Sequence, residues 1–383
     1  MRILVIHNQL WAHYKSKLFS EINNSLQELH PESDFLVIHI ALYEKSRTVM
    51  QDEGIYKYTY PYKVLFKKNL DEVGFKERLK SLIAEFDSYK PTVLNVTGWF
   101  DWAQVILMIY ARFRGVRIVL SSESSSADQG RSGLKEKIKS RIVNLADAFF
   151  CFGKTSADYL LSLGIKNSQI AVSNAAVIDE DVIRSNYTKA KADLMLHPAS
   201  TAGKRNFIFV GRLAAEKNLN MFIDAFVNVR EHDKQDAWNL LFVGDGPVRA
   251  DLEKQASGSG IPGSIHFTGG FPWYKIPGWL AKSDVLVLPS KSEPWGLVVN
   301  EAMVCGMPVV VSKNCGCAED LVKEGLNGFT FDPENRSELE DKLRFFIQNP
   351  DKITSMGDES QVIIQRFSSK KVAREMVHCY HKL

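Results

Sequence analysis

Between Pro289 and Gly328 the chain reads PSKSEPWGLVVNEAMVCGMPVVVSKNCGCAEDLVKEGLNG, and this stretch holds the residue types best suited to chemistry. Glu293 and Glu301 stand eight positions apart, the first in a loop shaped by Pro289 and Pro294, the second inside a helix expected to begin near Gly296 and Leu297. A loop that feeds a helix N-terminus is a ready anion site, because the first backbone N–H groups lack partners and the helix dipole is positive there. Acidic side chains flanking that site suit the hydroxyls of a sugar better than its phosphates. A nucleotide-sugar satisfies both demands.

Its phosphates need opposing cations. Arg212 and Lys217, in GRLAAEKN, follow the apolar run Phe207–Val210 and so stand at the carboxyl end of an expected strand. A cationic pair there neutralises a diphosphate through charge-assisted hydrogen bonds; taken alone, two exposed charges in a loop would mean little. Gly244-Asp245-Gly246-Pro247 follows the run Leu240–Val243. Its glycines let backbone approach a ligand and Pro247 suits a first helical turn, although an ordinary strand-to-helix turn reads the same way.

Two other matches are weaker. Gly258-Ser259-Gly260-Ile261-Pro262-Gly263 has the letters of a dinucleotide fingerprint but precedes a strand instead of following one. Asp179-Glu180-Asp181 has the form of a metal-binding DxD, yet acids at a helix start complement the dipole, and no metal is expected. In the first half the candidates are the loop Asn8–Tyr14 (NQLWAHY), with His13, and Ser121-Ser122-Glu123-Ser124 after the run Arg117–Leu120. Aromatic and hydrogen-bonding groups there suit a carbohydrate acceptor; an aromatic lid and a surface charge are the plain alternatives. Lys135, Lys137, Lys139 and Arg141 make a basic helix, read as a solvated face, with a contact to acidic lipid as the alternative.

These residues need scaffolds to hold them. The 383 residues exceed one ordinary core. With 45% hydrophobic and 24% charged residues, the composition is that of a globular protein, and a net charge of +3 gives no footprint for nucleic acid. Five cysteines, an odd number, form no disulfide framework; Cys315-Gly316-Cys317 lacks the partners of a zinc site, and a reducing cytoplasm is the simplest setting. No apolar run approaches the roughly 20 residues of a membrane span.

Short β-branched runs alternate with amphipathic stretches throughout. Strands are expected at Ile3–Ile6, Phe35–Ile40, Val93–Val96, Arg117–Leu120, Ala148–Phe152 and Ile170–Val172, then at Phe207–Val210, Leu240–Val243, Ile265–Phe267, Val285–Leu288, Pro308–Val311 and Phe329–Phe331. Strand–helix alternation with continuously apolar strands means parallel sheets covered on both faces. The fold class is therefore α/β, with two doubly wound Rossmann-like domains and a ligand cleft expected between them. The first domain is placed at residues 1–186, a connector at 187–205 where the rhythm is lost, the second domain at 206–366, and a last amphipathic helix at 367–383.

GRLAAEKN, FVGDGP, IHFTGG, DVLVLPS, SEPWGLVVNEAM, GMPVVVS and EDLVKEGLNGF, in that order, resemble the retaining glycosyltransferases of family GT4, the group 1 type, which have the GT-B fold. The likeness is dense over 206–333 and only of pattern over the first 200 residues. It implies that Arg212 and Lys217 bind the donor diphosphate, and that Glu293 faces the donor sugar while Glu301 holds the ribose. It implies further that the backbone of Gly296, Leu297 and Val298 lies against the distal phosphate and sugar. Gly244, Gly246, Gly269 and Phe271 would border the nucleoside, and the last helix would return to the first domain. The glycine pair usual after the first strand is replaced by Asn8-Gln9, and Glu123 stands about where many relatives carry a histidine. Acceptor residues are accordingly sought at His13 and Glu123.

The expected activity is transfer of a sugar from a nucleotide diphosphate-sugar to a carbohydrate or lipid-linked acceptor hydroxyl, with retained configuration and no metal. The setting would be polysaccharide, lipopolysaccharide or glycolipid synthesis in the cytoplasm, with peripheral membrane contact through the N-terminal domain left open. A GT-B nucleotide-sugar 2-epimerase and a silent nucleotide-sugar-binding subunit are the alternatives.

Overall fold

The computed structural model describes residues 1–44, 56–99, 101–123, 133–196, 204–233 and 237–383. It divides the chain into two compact units, residues 1–179 with 366–383, and residues 180–365.

The first unit is built on seven strands: β1 (Arg2–Gln9), β2 (Asp34–Tyr43), β3 (Tyr62–Asn69), β4 (Val93–Val96), β5 (Arg117–Ser122), β6 (Ala148–Cys151) and β7 (Ile170–Val172). All pair in parallel, in the order β3-β2-β1-β4-β5-β6-β7. Ile3, Leu4, Val5 and Ile6 of β1 are all fully buried, so the run is apolar on both faces, as a central parallel strand requires. The crossovers are α1 (His13–Leu29), α2 (Phe75–Tyr89), α3 (Trp102–Phe113), α4 (Gly133–Val143) and α5 (Lys154–Ser162). β3 is absent from the expected strands. It carries Lys63, Lys67 and Lys68 and pairs with β2 alone, which is how an edge strand avoids recruiting another chain.

The second unit opens with α6 (Glu180–Leu196), continues through β8 (Arg205–Val210), α7 (Leu219–Asp233), β9 (Trp238–Val243), α8 (Arg249–Ser257) and β10 (Ile265–Gly269), and then α9 (Ile276–Leu280) and β11 (Val285–Leu288). It is completed by α10 (Leu297–Val304), β12 (Val309–Ser312), α11 (Ala318–Leu321), β13 (Gly328–Phe331), α12 (Arg336–Gln348) and α13 (Lys352–Ile364). Its six strands run β10-β9-β8-β11-β12-β13, again all parallel.

The boundary differs from the expected one. Tyr187–Leu196 lie inside α6, not in a connector, because that helix has its own packing: it sits against α9 and α10, and the Asn186 side-chain amide donates to the carbonyl of Tyr274 at 2.9 Å. The rest of the expected connector, 197–203, lies outside the described residues. The acidic triplet at 179–181 falls at the start of α6, with Glu180 and Asp181 in its first turn.

The last helix, α14 (Ser369–Lys382), belongs to the first unit. It packs along α1, and Tyr380, fully buried, accepts a 2.6 Å hydrogen bond from the Asn95 side chain, whose carbonyl oxygen in turn takes the hydroxyl of Ser121 at 3.1 Å. Tyr380 also meets Phe150 edge-on at 5.5 Å. All five cysteines are free and buried.

Candidate functional site

In the second unit the strand order turns back between β8 and β11. Loops leaving two such strands depart toward opposite faces, and the crevice between them is where open α/β sheets bind ligands. Arg212 and Lys217 stand on the loop after β8, Glu293 on the loop after β11.

Two glycines let the neighbouring loops close against each other. A Cβ on Gly244 would lie 1.8 Å from the carbonyl oxygen of Gly211, and one on Gly246 would lie 2.2 Å from that of Leu213. Gly244 also has φ of +154°, which side chains rarely adopt. In the space so left, Gly211 N–H donates to Val243, Leu213 N–H to Asp245, and Gly244 N–H to Gly269. The ends of β8, β9 and β10 thus become one hydrogen-bonded platform. Phe271 follows on the third loop, partly exposed, its ring 5.2 Å from that of Trp279.

Lys217 ends a short 3₁₀ turn and forms an ion pair with Glu293, both side chains mostly buried. Asn218, left-handed at φ 57°, reverses the chain immediately after; its amide donates to the carbonyl of Pro333 at 2.9 Å, which anchors the turn. The letter N in GRLAAEKN gave this residue no role, and only its tolerance of left-handed backbone could have pointed to it. Glu293 is fixed from its own side as well: its carbonyl accepts from Gly316 N–H at 2.9 Å, and Lys291 N–H donates to Glu216. Arg212 is exposed and pairs with Glu216. Arg249, which sequence reading passed over, reaches toward Gly269 while paired with Asp245 and Glu253.

The Pro289 loop ends at Gly296, whose φ of +96° starts α10. A Cβ there would meet Leu288 at 2.6 Å and the Glu293 side chain at 3.4 Å, so glycine brings the helix start up against the loop. Gly296, Leu297 and Val298 therefore present the unpaired N–H groups of an eight-residue helix beside the Lys217–Glu293 pair.

Glu301 lies one turn further along α10. Burial pushes its carboxyl up to about 8, and among the described residues no cation or hydrogen-bond donor compensates. The folded state therefore keeps this proton up to about pH 8, while the unfolded chain releases it near 4.5. Stability falls as pH rises through that window, by roughly 1.4 kcal/mol for each unit of raised pKa. Glu301→Gln is expected to be more stable than the parent at about pH 9 and nearly equal to it near pH 4. Denaturation at the two pH values checks this; an equal difference at both would refute it.

In the first unit, Glu123 forms a 2.7 Å ion pair with buried Lys15, whose ammonium lies 4.4 Å from the centre of the Phe152 ring. Lys15, Asn95, Thr97, Ser121 and Ser122 border a small pocket of about 10 Å³. His13 begins α1 and its ring lies 5.0 Å from that of Tyr56. The two acceptor candidates thus have separate partners, and Lys15 went unnoticed because a lysine in an amphipathic helix reads as surface. Ser124 lies outside the described residues. Of the basic helix, Lys139 is mostly buried and hydrogen-bonded to Glu136 and the Tyr159 hydroxyl, each at 2.9 Å, so that face is not simply solvated. No described helix is long and apolar enough to cross a membrane.

The family model for glycosyl transferases group 1 matches residues 195–362, nearly the whole second unit. This region is similar to the group 1 glycosyl transferases. Over 175 residues the chain is 33% identical to the sulfoquinovosyl transferase of Arabidopsis thaliana, covering 44% of the chain and 32% of that relative. It is 25% identical over 254 residues to an uncharacterized glycosyltransferase of Methanocaldococcus jannaschii, 65% of each. The chain thus spans between a third and two thirds of the length of these curated relatives. Along its full length it superposes on HepE of Anabaena, solved in complex with UDP, with a TM-score of 0.76 at 20% identity, covering 100% of both chains. Against the sucrose-phosphate synthase of Thermosynechococcus elongatus the TM-score is 0.73 at 16% identity, covering 100% of this chain and 98% of the other. The fold is GT-B, and the matched region carries the platform, the ion pair and the α10 start described above.

Proposed function

We propose that this protein is a glycosyltransferase that moves a sugar from a nucleoside diphosphate-sugar to an acceptor hydroxyl with retention at the anomeric carbon. The observation that carries the reading is the Lys217–Glu293 pair beside the N-terminus of α10. A diphosphate brought to that helix start would draw the Lys217 ammonium to itself and release the Glu293 carboxylate toward the sugar. The bond from the anomeric carbon to the phosphate oxygen breaks, the bond to the acceptor oxygen forms on the same face, and the acceptor proton goes to the departing phosphate. Arg212, Lys217 and the helix N–H groups stabilise the charge that develops there, without a metal. Glu301, one helical turn away, would accept or donate hydrogen bonds at the ribose, and the Gly244–Gly269 contact would floor the base.

Binding of UDP and UDP-glucose by HepE supports a nucleotide-sugar donor. Relatives that transfer sulfoquinovose, or mannose onto a phosphatidylinositol monomannoside, support synthesis of a glycolipid, lipopolysaccharide or polysaccharide as the setting. The acceptor is proposed to meet the first unit around Lys15 and Glu123. A thermal-shift panel of UDP-, GDP- and ADP-sugars tests the donor: one class should raise the midpoint by an amount that grows with the logarithm of its concentration. Absence of any shift across the panel would overturn the reading. Conversion of the donor alone into its epimer would instead make the protein an isomerase.

A further inference from the structure

Where α1 ends, the chain makes a tight turn: His30 N–H donates to Leu26 at 2.7 Å, and Ser33 N–H to His30 at 2.9 Å. The last turn of α14 comes down on this corner. Arg374 holds Glu28 through two contacts of 2.8 and 2.9 Å, and two turns further along, His381 stacks on His30 with ring centroids 3.3 Å apart and planes 18° from parallel. Glu32 completes the cluster, one carboxylate oxygen 3.8 Å from Nδ1 of His30. One ligand atom from each of His30, Glu32 and His381 lies within 4.8 Å of the others.

We propose that His30, Glu32 and His381 form a zinc site that fastens the end of α14 to the corner after α1. Two imidazole nitrogens and one carboxylate oxygen are a donor set that suits zinc, with a fourth position left for water. Bonds of 2.0–2.2 Å in a tetrahedral site place donors about 3.4 Å apart, so the three atoms must draw in by about 1.4 Å at most. One imidazole must also turn out of the stack, because a ring binds metal in its own plane. Both movements are side-chain rotations at a surface: Glu32 is exposed and the two histidines are half-buried. Thiols, the strongest competitors for zinc, are removed from the contest, since all five cysteines are buried. None of its three ligands is among the residues proposed for sugar transfer. Sequence reading could not find it, because its ligands come from opposite ends of the chain.

The test uses the full-length protein without a polyhistidine tag, stripped of metal, and titrated near neutral pH with zinc chloride by calorimetry and with cobalt by visible absorption. The expected result is one equivalent bound, a tetrahedral cobalt spectrum and a raised unfolding midpoint. Removing a ligand should weaken binding by no less than the roughly 10–100-fold that loss of a ligand's own hydrogen-bond partner costs. His30→Ala and His381→Ala should each do so, as should the milder His381→Gln; Arg374→Ala, which breaks the neighbouring ion pair and spares the ligands, should not. Circular dichroism of each variant separates lost binding from lost fold. Failure to bind one equivalent, or undiminished binding by a folded His30→Ala/His381→Ala double variant, would overturn the proposal.

Discussion

Lys217→Ala is expected to lower kcat by two to three orders of magnitude while leaving the protein folded. Removing one preorganised group aimed at developing charge costs about 2.7–4 kcal/mol. The lysine is well placed to act in this way. A 3₁₀ turn and the left-handed Asn218, tied to Pro333, leave its side chain little freedom, and Glu293 holds its ammonium. The same substitution leaves Glu293 mostly buried beside a helix start without its cation. On the proposed mechanism the loss therefore combines a missing phosphate contact with a displaced sugar contact. A double-mutant cycle with Glu293→Gln should show strong coupling, the second change costing far less after the first. Steady-state kinetics on the two single variants and the double variant decide it. Additive losses would mean that the two residues act apart, and full activity in Lys217→Ala would remove the assignment.

Gly244→Ala should have the largest structural effect of any one-methyl change near the site. The new carbon would stand 1.8 Å from the carbonyl oxygen of Gly211, and that neighbour is backbone, not a side chain able to swing away. The φ of +154° adds a second penalty. Overpacking alone costs about 1–3 kcal/mol, so a loss of roughly 3 kcal/mol or more in the stability of the second unit is expected, with nucleotide binding lost as the three loops separate. Gly278→Ala is the matched control, since nothing lies within 4 Å of its would-be Cβ. Chemical denaturation with and without donor nucleotide compares them, and similar stabilities for the two variants would refute the argument.

The loops and helix start that carry the proposed donor residues were legible because their signals are local. A strand end, a glycine turn and a helix start are each spelled within about ten residues, and the structure sets Arg212, Lys217, Glu293, Gly296 and Glu301 on the loops and helix where that spelling put them. The continuous apolar runs of β1, β8 and β11 were equally plain, because burial on both faces leaves no alternation to misread. What failed to show was non-local. β3 looks like a charged loop until β2 is known to lie beside it. Tyr187–Leu196 look like a connector until α9 and α10 supply something to pack on. Lys15 reads as a solvent-facing lysine until Glu123, more than a hundred positions later, is folded onto it.

The course of α14 has a consequence for the order in which the protein matures. Domains generally complete their folding as they emerge from the ribosome, the N-terminal one first. Here the first unit lacks Tyr380, a fully buried ring that fills space beside Phe150 and caps Asn95, until residues 369–382 have been synthesised. The second unit is continuous, from 180 to 365, and all of it is made before α14. The part of the chain that is translated first is therefore the part that must wait, its α1 face uncovered through the whole synthesis of its neighbour.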